Sequence, residues 1–257
     1  MLLTVIPHYN SSDLLRYTLD SIVKGSRRPD KVIIVDDGSN YSESNSLVHL
    51  VDSFKEDLNV VLDLRSLNEG LVKVREYVWS TYVRELKPDY FHFLDSDDLV
   101  HPDFYKQGLS FIDDSNEEQA VFSFPYRSFS EINDWDELTL LSHQKIKPLK
   151  LGTHSRLIWR LTSFDFLADI RFDYRSPYED WIFYSRVTGV SMRSVNGTPA
   201  IAYRRGRGSL SFGMNALSVL KQKYRDLSKS NLTKIYIIFN LLLAEVKKVY
   251  RSAQRLR

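Results

Sequence analysis

Cysteine is absent from the 257 residues. That excludes a disulfide framework, a thiolate nucleophile and a cysteine-ligated zinc site, and it fits a reducing, cytoplasmic setting. Long apolar runs are missing as well. The longest, residues 235–246, is interrupted by Asn240 and Glu245 and is too short to span a bilayer. No basic segment precedes the apolar start of the chain, and Pro7 interrupts it, so residues 1–10 do not read as a signal peptide, and residues 2–6 look like a first buried strand. Net charge is small, +2, but unevenly spread. Residues 221–257 hold ten basic and two acidic side chains, which leaves the preceding body at −6. Such a body offers no second basic surface, so a nucleic-acid partner is not expected.

What is present is ordinary globular material, 43% hydrophobic and 26% charged, enough for one α/β domain with a helical appendage. Strand-like and helix-like segments alternate through the first hundred residues. Residues 2–7, 31–35, 59–64 and 90–94 read as strands. Between them, 13–23, 42–54 and 71–86 read as helices, the last with Leu71, Val74, Val78, Tyr82 and Leu86 at helical spacing and the first capped by Ser12 or Asp13. That order implies right-handed crossovers and a parallel sheet, in which ligands bind beyond the carboxyl ends of the strands. Two acidic clusters, Asp36-Asp37-Gly38-Ser39 and Asp95-Ser96-Asp97-Asp98, fall at those ends. Further on, 120–124 reads as a strand, 128–150 as a polar loop, and 191–195 with 200–204 as two strands around an Asn196-Gly197 turn. The boundary falls near residue 212, with a helical extension over 213–257. Its basic residues Lys247, Lys248, Arg251, Arg255 and Arg257 read either as a solvated face of a helix packed on the body or pairing two copies, or as a contact with an anionic membrane surface.

Each acidic cluster has two readings. Asp95-Ser96-Asp97-Asp98 is either a turn capping the next helix or an extended segment on which Asp95 and Asp97 face the same way and converge on a hard divalent cation. Asp36-Asp37-Gly38-Ser39 is either a tight Asp-Gly turn or a carboxylate pair accepting hydrogen bonds from a nucleoside. Glu179-Asp180 either decorates a helix N-terminus or supplies a general base.

The ordered set resembles the inverting family 2 of glycosyltransferases, which have the GT-A fold, a Rossmann-like, mostly parallel sheet flanked by helices. Val5-Ile6-Pro7-His8-Tyr9-Asn10 is similar to that family's opening strand and loop, Val35-Asp36-Asp37-Gly38-Ser39 to its nucleoside turn, and Asn68-Glu69-Gly70 to its next site loop. Leu94-Asp95-Ser96-Asp97-Asp98 resembles its metal-binding motif, Glu179-Asp180-Trp181 its catalytic pair, and Tyr203-Arg204 with Ser209-Leu210-Ser211 its late loop. The resemblance implies that Pro7, Tyr9, Asp36, Asp37 and Asn68 line a nucleoside pocket and that Asp95 and Asp97 serve ribose and metal, with Asp98 a second metal ligand. It further implies that Arg204 and Arg207 face a diphosphate and that Asp180 is the base. The implied substrates are a nucleotide-sugar donor, by resemblance a UDP-sugar, and a saccharide or lipid-linked acceptor, with Mn²⁺ or Mg²⁺ as the metal. Gly206 stands where family members often carry a histidine. Two other classes compete: a nucleotidyltransferase and a catalytically inactive sugar-binding protein. The former usually wants a Gly-rich basic loop after its first strand, and residues 8–12 contain neither Gly nor Lys.

Overall fold

The computed structural model describes residues 1–129, 154–164, 190–195 and 201–204. At 127–129, 154, 192, 194 and 201–204 it describes the backbone only. The expectations for the helical extension 213–257, and for Asp180 and Arg207, lie outside the described residues.

The alternation of the first half forms as its sequence pattern dictates. β1 (Leu2–His8), β2 (Lys31–Asp36), β3 (Val60–Leu64) and β4 (Tyr90–Phe93) are linked by α1 (Ser12–Val23), α2 (Tyr41–Ser53) and a helical stretch beginning with α3 (Leu71–Val78). After β4 come β5 (Leu99–Val100), α5 (Phe104–Asp113), β6 (Ala120–Ser123), β7 (Tyr126–Phe129), β8 (Leu157–Arg160), β9 (Ser191–Ser194) and β10 (Ile201–Arg204). The main sheet has seven strands in the order β3-β2-β1-β4-β8-β6-β9. Within it β8 alone runs against its neighbours, pairing antiparallel with both β4 and β6. A second sheet has the order β5-β10-β7.

Period-two alternation sorts the core into two layers. On one face Leu2, Ile6, Val32, Ile34, Phe122 and Ile158 pack with Leu15, Leu19 and Ile22 of α1, Leu47, Leu50 and Val51 of α2, and Phe104 and Ile112 of α5. On the other, Leu3, Val5, Ile33, Val35, Phe91, Phe93 and Trp159 pack with Val74, Val78, Trp79 and Val83.

Three expectations are corrected. The stretch expected as one helix over 71–86 is interrupted: α3 passes into a π turn (Trp79–Val83) and then α4 (Arg84–Leu86). The wide turn coincides with the bulkiest side chain on the buried face, the Trp79 indole, whose ring centroid lies 4.6 Å from Phe91 and 5.1 Å from Trp159. The strands expected around Asn196-Gly197 do not pair: β9 lies beside β6 and β10 beside β5 and β7. The N-cap of α1 is Ser11, with no side-chain capping bond, rather than Ser12 or Asp13.

On β4 the residue between Phe91 and Phe93 is polar, and alternation sends it to the other layer. His92 is fully buried there. Its Nε2–H donates to the Ser155 carbonyl at 2.7 Å, the Tyr105 hydroxyl donates to Nδ1 at 3.0 Å, and Thr4 Oγ1 lies 3.2 Å from that hydroxyl. Every member of this hydrogen-bonded series has a partner, as burial demands.

Burial pushes His92 down to about 4, against which the bond to Ser155 acts weakly. Between that value and the ordinary 6.5 the unfolded chain binds a proton that the native one does not, so stability is full above 6.5 and falls as pH drops. Chemical denaturation should show this as a loss of about 3 kcal/mol between pH 7 and 4. His92→Gln, whose amide N–H can replace the ring donor but cannot titrate, should flatten that part of the slope; an unchanged slope would assign the loss to other groups.

Candidate active site at the carboxyl edge of the sheet

The register of β1, β2 and β3 brings their carboxyl ends level. His8 pairs with Asp36, and Asp36 with Leu64. His8 and Asp36 are both buried, and their side chains meet at 2.8 Å. The Ser11 N–H donates to His8 Nε2 at 3.3 Å, so the ring proton sits on Nδ1 and is donated to Asp36. Asp36 also accepts from the Ser39 N–H at 3.0 Å and the Ser39 hydroxyl at 2.5 Å. Burial opposes ionisation of this carboxyl, yet the bonds from His8 and Ser39 outweigh it and hold the pKa below the ordinary value.

Asp37, buried too, reaches across to the next loop. Its two oxygens accept the Glu69 N–H at 2.9 Å and the Gly70 N–H at 2.7 Å. Gly70 is the N-cap of α3, so this carboxylate sits at the positive end of that helix. Gly38 lets the two loops touch. It has φ +66, and a Cβ there would lie 2.4 Å from the Leu67 carbonyl carbon and 2.5 Å from the Asn68 nitrogen. Asn10 stitches in the loop after β1: its N–H donates to Ser39 Oγ at 2.9 Å, and its Oδ1 accepts the Asn40 N–H at 3.1 Å.

Of the five residues expected at a nucleoside pocket, Tyr9, 50% exposed, and Asn68 are thus the open ones. Pro7 is buried in β1, and Asp36 and Asp37 spend their oxygens ordering the loops that carry the other two.

The segment after β4 is a turn, not the extended strand on which Asp95 and Asp97 would share a side. The Asp98 N–H folds back to the Asp95 carbonyl at 3.1 Å, the usual closure of an Asp/Ser-rich turn. Thr18 of α1 donates to the Ser96 carbonyl at 2.9 Å, and Ser11 Oγ lies 3.1 Å from Ser96 Oγ. Asp95 accepts from Arg75 Nη2 at 2.7 Å. Arg75 is only 3% exposed and lies within α3, the helix whose start Asp37 holds. Reading the sequence missed Arg75. Its signal was there: it sits four residues after Leu71 and four before Trp79, on the buried side of an amphipathic helix.

The donor set suits a hard cation, being carboxylate oxygen throughout. Asp97 is partly exposed, whereas Asp98 is 1% exposed. Among the described residues no group of three or more His, Cys, Asp or Glu is arranged to hold a metal. Carboxylates of this turn can supply one or two ligands to such a cation. The backbone of β10 approaches the same turn. Ala202 lies opposite Leu99, so Tyr203 and Arg204 continue antiparallel toward Asp98 and Asp97.

Residues 4–174 match the family described as Glycosyl transferase family 2. The chain belongs to that family. The similarity extends to the curated glycosyltransferase GlyA of Streptococcus pneumoniae, 24% identical over 80% of this chain and 31% of GlyA. The amylovoran biosynthesis glycosyltransferase AmsB of Erwinia amylovora is 32% identical over 60% of this chain and 48% of AmsB. The chain therefore spans less than half the length of either relative. Among solved structures, S. aureus TarS 1-349 in complex with UDP-GlcNAc has a TM-score of 0.63 at 17% identity, covering 92% of this chain and 69% of that one. The mannosyltransferase PcManGT of Pyrobaculum calidifontis, in complex with GDP-Man and Mn²⁺, has a TM-score of 0.61 at 14% identity, covering 90% and 64%. The fold is GT-A, as the motifs implied. No helix among the described residues is long and apolar enough to cross a membrane.

Gly38→Ala should cost about 2–4 kcal/mol of stability, because the new methyl meets backbone in a left-handed conformation. Thermal denaturation reads this directly, and a melting temperature equal to that of the unchanged chain would refute the interlocking of the two loops.

Proposed function

We propose that this glycosyltransferase moves a hexose-type sugar from a nucleotide-sugar donor, a UDP-sugar, onto a hydroxyl of a saccharide or lipid-linked saccharide, inverting the anomeric carbon, in surface polysaccharide assembly. The observation that carries the reading is the joining of two loop systems by one helix: α3 starts on Asp37 and bears Arg75 against Asp95. A nucleoside end and a phosphate end at a fixed separation are what a nucleoside diphosphate sugar requires. The UDP-GlcNAc bound by TarS and the amylovoran pathway of AmsB support the donor and the setting.

In this mechanism Tyr9 and Asn68 contact the nucleoside, with Pro7, Asp36 and Asp37 behind them, and Asp95 takes the ribose. Arg204 and Arg207 face the diphosphate. A divalent cation, Mn²⁺ or Mg²⁺, supplies Lewis-acid neutralisation of the leaving diphosphate when bound, with Asp97 as its protein carboxylate. The Asp180 carboxylate takes the proton of the acceptor hydroxyl. The acceptor oxygen forms its bond to the anomeric carbon from the face opposite the diphosphate. The bond from that carbon to the diphosphate oxygen breaks, and its electron pair leaves on the nucleoside diphosphate.

Asp180→Asn should abolish transfer while leaving UDP binding within about twofold, since only the proton acceptor is removed. Turnover at the unchanged rate would remove Asp180 from the base role. Asp97→Ala should weaken UDP binding in the presence of Mn²⁺ by about tenfold, the loss of one charged contact. Calorimetric titration measures it, and equal affinity would contradict the metal assignment. Release of pyrophosphate in place of nucleoside diphosphate would turn the reading to a nucleotidyltransferase.

A further inference from the structure

His92 and Tyr105 are buried titratable groups that the transfer reaction does not use, yet they form an ordered series of hydrogen bonds that ends at the site. Thr4 of β1 is bonded to the Tyr105 hydroxyl of α5, that hydroxyl donates to His92 Nδ1, and His92 donates through Nε2 to the carbonyl of Ser155. Ser155 in turn accepts the Asp95 N–H on its hydroxyl at 2.9 Å. Ser155 is buried, in the 3-10 turn (His154–Arg156) that leads into β8. Because β8 runs antiparallel to β4, its start meets the end of β4, and the two bonds of Ser155 clamp that junction.

We propose that Ser155 is a positioning residue for the acidic turn: it fixes the backbone of Asp95 with its hydroxyl and is itself fixed through its carbonyl by His92. The inference rests on the reading of that turn as the ribose and diphosphate end of the donor site. Arg75 holds the Asp95 carboxylate from one side, and Ser155 holds the Asp95 main chain from the other. With both in place the turn is preorganised before the donor arrives. A neutral His92 suits this task, because its Nδ1 stays an acceptor for Tyr105 while its Nε2 stays a donor to Ser155.

The test uses the full chain carrying Ser155→Ala, with His92→Leu and His92→Gln as a second pair should the first variant fail to fold. In Ser155→Ala and His92→Leu, UDP titrated with Mn²⁺ present should bind about fivefold more weakly, while the free base uracil, which lacks the ribose and diphosphate, binds as before. His92→Gln keeps a donor for the Ser155 carbonyl and should stay within about twofold. Amide hydrogen exchange at Asp95 should quicken by about tenfold or more in the first two variants only. Equal losses for uracil and for UDP with Mn²⁺ would mark a structural role alone and overturn the proposal, as would unchanged binding. If the unchanged chain binds no UDP with Mn²⁺, the donor reading falls, and exchange at Asp95 then decides for or against Ser155 by itself.

Discussion

Two carboxylates tied to one short helix organise this protein. Asp37 accepts the N–H groups where α3 begins, and one turn further on Arg75 donates to Asp95. The first contact is favoured by the helix dipole. The second is a largely buried ion pair, whose Coulomb gain is offset by desolvation, so its worth lies more in geometry than in net stability. Together they make the loops after β2, β3 and β4 one unit. The two acidic loop systems cannot drift apart without unseating α3.

The same helix explains why the second layer of the core is aromatic. α3 and the π turn after it lay Val74, Val78, Trp79 and Val83 on the sheet, where Phe91, Phe93 and Trp159 form a block of rings around the Trp79 indole. Such a block resists compression, so it holds the helix at a set height above the strands. The opposite face of β4 could not be apolar throughout without losing the His92 bonds that reach Ser155. One strand thus serves packing on one side and positioning on the other, through nothing more than the alternation of its side chains.

Strand direction decides which residues reach this edge of the sheet. The parallel strands β1, β2 and β4 deliver the residues just after their carboxyl ends, whereas antiparallel β8 delivers those just before its amino end. Ser155 therefore reaches the acidic turn across sixty residues of chain. The antiparallel pairing of β10 with β5 brings the Tyr203-Arg204 backbone to the same turn by an equal logic.

The sequence by itself determined the alternating elements of the first half and the edge at which the Asp36 and Asp95 clusters lie, because period and turn chemistry are local properties of the chain. It also marked the family, through short motifs in order. What only the tertiary structure decided is where each polar group spends its hydrogen bonds. Asp37 could have faced a ligand or a helix start, Asp95 could have lain in a strand or a turn, and the strands flanking Asn196 could have paired with each other. Arg75, His92 and Ser155 carry no local mark of their partners, since those lie from 13 to 63 residues away and meet them only when the sheet and its helices close.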